Sequence, residues 1–520
     1  MSEAKNVLFI MADQLRADHL ACYGHPHIRT PNVDALARRG IRFDRAFVNS
    51  GVCGPSRMSY YTGRYPSTHG ATWNRVPLSV GEVTLGEYLR ASGRKLVLAG
   101  KTHVMVDHAG LERLALDGAS ELGQLLSTGG FEEIDRYDGH HEPGKESGYP
   151  AYLRSHGFVS DDPWTDFVIS ATGPDGQPVS GWHMRNARYP SLVPDQHSET
   201  AYMTDQALHF MRRQGDQPWV MHLSYVKPHW PYIAPAPYHD MYGPEQCLPV
   251  VRNDAETHNA HPVLAAYRAH EESISFSMDE CIRTVRPAYQ GLITQLDDHL
   301  GRLFDYMEAS GLMKNTLIIF TADHGDFLGD HWLGEKELFY DTVQRVPMIV
   351  YDPSPAADAS RGAAESRMLE SVDVLPTILD WLGLPLPMHR LEGRSLLPLL
   401  HGQSVSWRDS VFSELDYSYR LSRLLTHKTT DNARAWSVRT DRWRYVYWMD
   451  EPEQLYDLHA DPDQFHDLGR DPAFAQVRAE CRERLLAWFS GLKRRTTVTH
   501  ESVEKGTNAY KKAGVFFGQW

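Results

Sequence analysis

The chain of 520 residues is poor in several features that would fix its class at once. Cysteine occurs five times, at Cys22, Cys53, Cys247, Cys281 and Cys481, far apart and odd in number. No disulfide framework and no paired zinc-type spacing fits that pattern, which points to a reducing compartment. No run of about 18 apolar residues occurs, so no membrane span is expected. The start, Met1-Ser2-Glu3-Ala4-Lys5-Asn6, shows no basic segment followed by a separate apolar stretch. No secretory signal is therefore expected, and the chain reads as cytoplasmic. Basic charge is in deficit: 53 Lys and Arg minus 67 Asp and Glu gives −14. Such a balance excludes a general binder of nucleic acid or anionic membranes. An anionic substrate would need a local positive pocket. Internal repeats and low-complexity segments are also missing. What is present, 42% hydrophobic and 23% charged residues, suits a soluble globular protein with a large core and more than one domain.

Several continuous apolar runs read as strands buried on both faces, as in a parallel sheet. They are Asn6 to Met11, Ile41 to Val48, Lys95 to Ala99, Trp219 to Tyr225, Thr316 to Phe320 and Val346 to Tyr351. Helices are predicted between them, over Thr30–Gly40, Thr84–Ser92, Ser198–Arg213 and Tyr289–Met307, with a further one over Val374–Leu382 interrupted near Pro376. The alternation predicts an α/β fold: a large, mainly parallel sheet sandwiched by helices. Residues 1–404 form this domain, with loop-rich insertions at about 104–195 and 235–282. Residues 405–492 read as a smaller C-terminal α+β subdomain. Its strands are Val411–Glu414, Trp436–Thr440 and Trp443–Tyr447, with a turn at Asp441-Arg442 and a helix over Pro472–Leu492. The tail, 493–520, is polar but ends Val515-Phe516-Phe517-Gly518-Gln519-Trp520. It either stays disordered or docks on this chain or a neighbour; the second case implies a homo-oligomer through the tail.

Ligands of open α/β sheets lie beyond the carboxyl ends of the strands. Polar clusters stand at four such ends: Asp13-Gln14, Lys101 with His103, His229, and Asp323-His324. A fifth, Glu335-Lys336-Glu337, precedes the strand at 346. Singly, each has an ordinary alternative as a cap or a solvated charge; jointly, they mark a site. The stretch Ser50-Gly51-Val52-Cys53-Gly54-Pro55-Ser56-Arg57 sets one cysteine in a small-residue turn. A helix starting near Pro55 would put Cys53 at its N-terminus, where free N–H groups and the dipole favour anions. Arg57 adds positive charge one turn on.

Cys53-x-Pro55-x-Arg57, followed by Thr62-Gly63-Arg64, resembles the signature of type I sulfatases, in the alkaline phosphatase superfamily. Asn6 to Arg16, Gly100-Lys101-Thr102-His103, Pro228-His229-Trp230-Pro231-Tyr232, Thr321-Ala322-Asp323-His324-Gly325, Glu335-Lys336 and Leu455-Tyr456-Asp457-Leu458 are similar to further family segments, in family order. Gln14 and His324 stand where many sulfatases have aspartate and asparagine. Those departures, and Asn74, look like phosphonate monoester hydrolases; Lys101 and His103 look like true sulfatases. The resemblance implies a metal-dependent hydrolase of sulfate monoesters, or of phosphonate monoesters and phosphodiesters on the same site. It implies formylglycine made from Cys53 by a maturation enzyme, with one hydroxyl of its hydrate as nucleophile. Asp13, Gln14, Asp323, His324 and the modified Cys53 would hold one divalent ion, Ca²⁺ or Mn²⁺ ahead of Mg²⁺ by their oxygen and imidazole donors. Arg57 would steady the hydrate, Lys101 and Lys336 the transferred group, His229 would protonate the leaving oxygen, and His103 would take the proton that releases the covalent ester. Asn74, Lys101, His229 and Lys336 would bind a small anionic ester.

Overall fold

A computed structural model describes residues 5–139, 147–258, 260–515 and 518. Seven strands form most of its main sheet: β1 (Asn6–Asp13), β2 (Ile41–Phe47), β3 (Leu96–Gly100), β4 (Phe131–Arg136), β5 (Val220–Pro228), β6 (Thr316–Ala322) and β7 (Arg345–Tyr351). The spatial order is β2-β7-β6-β1-β5-β3-β4, with the short strands Ala364–Glu365 and Leu369–Glu370 pairing parallel to β2 to make nine. Only β7 runs against its neighbours β2 and β6. Every residue of β1, β5 and β6 is buried, as continuous apolar runs covered on both faces must be. Register brings the three ends level: Ala12 faces Ala322 on one side, and Asp13 faces Pro228 on the other.

Four expectations need correction. The segment 104–195 is more than loops: it carries β4, which pairs parallel with β3 as the sheet's edge. Its sequence, Phe-Glu-Glu-Ile-Asp-Arg, is buried on one side only, so it shows no continuous apolar run. The long helix spans Asp279–Ala309, beginning ten residues before Tyr289; Pro287, inside it, hides its first turns from a pattern reading. The helix Val374–Trp381 is not interrupted. Pro376 lies in its first turn, where the missing N–H has no intrahelical partner to lose. The cysteine helix spans Cys53–Thr62, so Cys53 is its first residue and Pro55 its third.

The C-terminal unit is a four-stranded antiparallel sheet, Ser410–Asp416, Arg434–Thr440, Trp443–Trp448 and Gln454–Asp457 in that order. The helix Ala475–Gly491 covers it, burying Cys481 and Leu485 against Val438, Tyr445 and Leu455. Trp488 of that helix stacks on Phe412 at 4.8 Å and meets Tyr65 edge-on at 5.1 Å, which joins the two units. The start of the tail is tied down: Lys493 N donates to Glu392 Oε1 (2.8 Å), and Arg390 donates to the Thr496 carbonyl (3.2 Å). A short exposed helix follows over His500–Gly506. Of the apolar end, residues 516, 517, 519 and 520 lie outside the described residues. Among the described residues no helix is long and apolar enough to cross a membrane.

Candidate active site

The site is built on the Cys53–Thr62 helix, all ten residues of which are buried. The turn before it is wedged against the loop that carries Lys336. A side chain at Gly51 would put its Cβ 2.3 Å from the Glu337 carbonyl, so only glycine fits. The first free amide inside the helix, Gly54 N, donates to Asn74 Oδ1 at 2.7 Å. Cys53 Sγ lies 3.1 Å from His324 Nε2.

Around that sulfur converge the ends of β1 and β6. Ligand atoms of Asp13, Cys53, Asp323 and His324 all lie within 4.8 Å of one another, and all four residues are buried. His324 Nδ1 bonds the Gly325 carbonyl at 2.8 Å, which turns Nε2 toward the sulfur and the carboxylates. Arg57 lies beneath and ties both carboxylates down: Nε donates to Asp323 Oδ2 (2.8 Å) and Nη2 to Asp13 Oδ2 (3.3 Å). Its Nη1 reaches Ser224 Oγ (2.8 Å) and the Lys101 carbonyl (3.0 Å). Lys101 Nζ takes the same Asp13 oxygen at 2.6 Å. Asp13 Oδ1 is left buried, with no hydrogen-bond partner among the described residues. An orphaned carboxylate oxygen facing a thiol, a second carboxylate and an imidazole nitrogen fits a divalent cation.

Gln14 stands at φ +64°, a left-handed conformation that swings its side chain back over the site. Its backbone N–H donates to Asp323 Oδ1 at 3.0 Å, and its Nε2 to Asp326 Oδ2 at 2.6 Å. With the amide nitrogen so held, Oε1 faces inward and accepts from Lys336 Nζ at 3.1 Å. Lys336 Nζ also meets His229 Nε2 at 2.9 Å, while His229 Nδ1 bonds the Trp230 carbonyl at 2.7 Å. His103 stands at the edge of the site, half-buried at φ +58°, with its backbone N–H on Asp138 Oδ1 (3.3 Å). Direct contacts thus bring together Asp13, Gln14, Cys53, Arg57, Lys101, His229, Asp323, His324 and Lys336. Asn74 joins them through the Gly54 amide.

The charges shift one another strongly. Burial alone would raise the Asp13 carboxyl, but Lys101, His229, Arg57 and Lys336 hold it well below the usual range. Burial works against Lys101 too, yet Asp13 pushes its ammonium up. Burial would raise the Cys53 thiol; Lys336, His324 and Lys101 pull it down instead. His229 is held well below an ordinary histidine by burial and by Lys336, so its ring is neutral and Nε2 accepts. His324 goes the other way: burial lowers it, but Asp323 and Cys53 carry it up to about 9.

Three groups went unassigned in the sequence. Asp326, raised by burial, accepts from both Gln14 and the Tyr232 hydroxyl (2.6 Å), and so orients the amide. Ser224 holds Arg57. For Asp326 and Tyr232 a signal existed, since they sit three residues after Asp323 and His229. For Ser224, in the interior of a buried strand, there was none.

The chain matches the family model described as Sulfatase over residues 5–384, and the model described as N-sulphoglucosamine sulphohydrolase, C-terminal, over residues 329–490. It is 35% identical over 526 residues to the multifunctional alkaline phosphatase superfamily protein PehA of Trinickia caryophylli, covering 96% of this chain and 98% of that one. Among solved structures it is similar to the phosphonate monoester hydrolase SpPMH from Silicibacter pomeroyi, with a TM-score of 0.83, 31% identity and coverage of 96% and 98%. The phosphonate monoester hydrolase of Agrobacterium radiobacter follows, with a TM-score of 0.82, 30% identity and coverage of 94% and 95%.

Proposed function

Because this chain belongs to the sulfatase family of the alkaline phosphatase superfamily, we propose that it hydrolyses sulfate monoesters with a formylglycine made from Cys53 and one divalent metal ion. The observation that carries this reading is the buried cluster of Asp13, Cys53, Asp323 and His324, with Asp13 Oδ1 unpartnered. Those residues and Gln14 Oε1 would hold the ion, with Ca²⁺ or Mn²⁺ suiting mixed oxygen and imidazole donors better than Mg²⁺. Once present, the ion and the modified Cys53 supply an activated hydroxyl nucleophile. The remaining work falls to the chain's own side chains. Lys101 and Lys336 stabilise charge on the non-bridging oxygens of the transferred group. Arg57 fixes Asp13 and Asp323 and gives the helix start its positive field. The leaving oxygen takes its proton at the Lys336 Nζ–His229 Nε2 pair. His103, at the edge, serves the proton released in the second half of the reaction. A formylglycine-generating maturation enzyme is the partner this requires.

A second reading, hydrolysis of phosphonate monoesters or phosphodiesters on the same site, is supported by Gln14 and His324 and by the two solved relatives named for that activity. All three ester classes carry one negative charge, so one basin suits them. Two measurements test the proposal. The intact mass of the Cys53 peptide should show a fraction converted from thiol to aldehyde. The same preparation should turn over a 4-nitrophenyl sulfate or a 4-nitrophenyl phosphonate monoester, and the ratio of kcat/KM ranks the two readings. An unmodified thiol together with full turnover would overturn the nucleophile.

A further inference from the structure

Next to the segments that carry His229 and Lys336 lies a cavity of about 700 Å³, and the Trp230 ring that lines it stands 4.4 Å from the His229 ring and 5.9 Å from Lys336 Nζ. Trp230, Pro231 and Tyr232, which follow His229, form one wall; Glu335, which precedes Lys336, forms another. An ester whose transferred group sits at Cys53, and whose leaving oxygen is protonated at His229, sends its leaving group into this space. The chemistry of the cavity therefore reports on the alcohol.

Two kinds of surface line it. One is aromatic. Trp182 is 52% exposed, and its ring lies 5.4 Å from that of Trp230 and 5.9 Å, edge-on, from that of Trp164. The other is anionic. The charged lining residues are Glu271, Glu272, Glu280 and Glu335 against Arg185 and Arg420, four minus two, a balance of −2. Arg420 is already neutralised, with Nε 2.9 Å from Glu337 Oε1 and Nη2 on Glu272. Glu335 and Glu271 have no ion pair among the described residues. Glu335 is also held at φ +61°, a conformation non-glycine residues avoid, in the loop that turns Lys336 inward. Aromatic faces beside unpaired carboxylates suit an organic cation, since ring quadrupole and carboxylate attract the same charge.

We propose that the leaving group of the preferred substrate is cationic, an alcohol or phenol bearing an ammonium group seated among Trp182, Trp230 and Glu335. This rests on the ester-hydrolase reading above. It also resolves a conflict of charge. A protein at −14 repels a simple anion. An ester that is anionic at its reacting end and cationic at the other is a zwitterion, and is not repelled.

The test uses three aryl esters whose para substituent is set off from the ring by a methylene, with kcat/KM corrected for leaving-group pKa by the line that neutral phenyl esters define. The substituents are trimethylammoniomethyl, its neutral isostere neopentyl, and carboxymethyl. A 4-nitrophenyl sulfate and a 4-nitrophenyl phosphonate are run first on enzyme whose Cys53 is modified. If neither turns over, the ester-hydrolase reading itself fails. If either does, the cationic ester of that class should exceed the neutral one by about tenfold or more in kcat/KM, mainly through KM, with the carboxymethyl ester poorest. That ratio should fall toward one in Trp182→Ala and in Glu335→Gln; being a ratio, it is insensitive to a general loss of activity. A ratio below about three in the unsubstituted enzyme, or one that survives both substitutions, overturns the proposal.

Discussion

The resemblance makes His229 the acid, and the structure adds where a proton can sit. The ring is neutral, and its Nε2 is occupied by the Lys336 ammonium at 2.9 Å, so in the proposed mechanism the two groups would act as one donor. Replacing His229 with alanine should cost about a hundredfold to ten-thousandfold on esters with poor leaving groups and much less on nitrophenyl esters, whereas Lys336→Ala should be costly on both, because Lys336 also steadies the transferred group. The double variant should lose little more than the worse single one. Additive losses, or an unchanged slope of log kcat/KM against leaving-group pKa in His229→Ala, would show that the pair is not the acid. The two aspartates should also differ. Asp13→Asn and Asp323→Ala are both expected to lose metal, measured by elemental analysis, together with activity. Asp323→Ala, however, takes the carboxylate from Arg57 Nε in a site with no exposure. Removing that partner of a buried cation costs about 3–5 kcal/mol, with Arg57 keeping only the Asp13 carboxylate at 3.3 Å, whereas Asp13→Asn leaves an amide oxygen for Lys101 to donate to, so its Tm should fall less. Residue identities were readable because strand ends carried them. Hydrogen-bond direction was not, since it depends on partners such as Asp326 and Ser224 that only the folded chain supplies.

At the scale of elements, the buried strands were the most legible part, because an apolar run covered on both faces has few other fates. The edge strand β4 and the first turns of the Asp279–Ala309 helix were not, since one is half-exposed and the other contains Pro287. Asn74 shows how an element and a site depend on one another. It satisfies the Gly54 amide, so Asn74→Ala should leave a largely buried N–H unpaired at a cost of about 1–3 kcal/mol. The readout is a lower Tm together with slower turnover, and a fall in turnover alone would mean that Asn74 acts on substrate instead. A second link joins the Glu271–Phe276 helix to the Leu421–Leu425 helix through Glu272, His270 and Arg420. Burial would raise Glu272, but His270 and Arg420 bring it down to about 2 from 4.5. A carboxylate depressed on folding contributes stability that is complete above the unfolded value and is lost as pH falls through the folded one. The Tm advantage of the native chain over Glu272→Gln should therefore be constant above about pH 4.5 and shrink as the pH falls toward 2. A constant gap across that range would contradict the assignment.

Across the whole molecule, a C-terminal unit with an antiparallel sheet could be read from the strand pattern, but its join to the main sheet could not. Trp488, Phe412 and Tyr65 come from distant parts of the chain, and nothing in their local sequence marks a seam. Among the described residues, no hydrogen bond ties a side chain of the tail to that seam after Thr496. A chain ending at Thr499 should keep its Tm, whereas one ending at Gly491 should lose several degrees, because it forfeits the anchors at Leu492, Lys493 and Thr496. Light scattering on the first of these also tests whether the tail holds subunits together.

The burial of the Cys53 helix sets a clock. Cys53 has 1% of its surface exposed, and no second protein can reach its sulfur once the fold has closed. The groups that seal it, His324 and the loop through Glu337, are made late: His324 follows the cysteine by 271 residues. At about 5–20 residues per second of synthesis, the nascent cysteine stands open to a modifying enzyme for roughly 15–55 s before those partners exist. On the proposed maturation of Cys53, whether a given molecule can ever turn over would then be decided on the ribosome. Speeding translation should lower the fraction of active molecules without changing the amount, the fold or the melting temperature of the protein obtained.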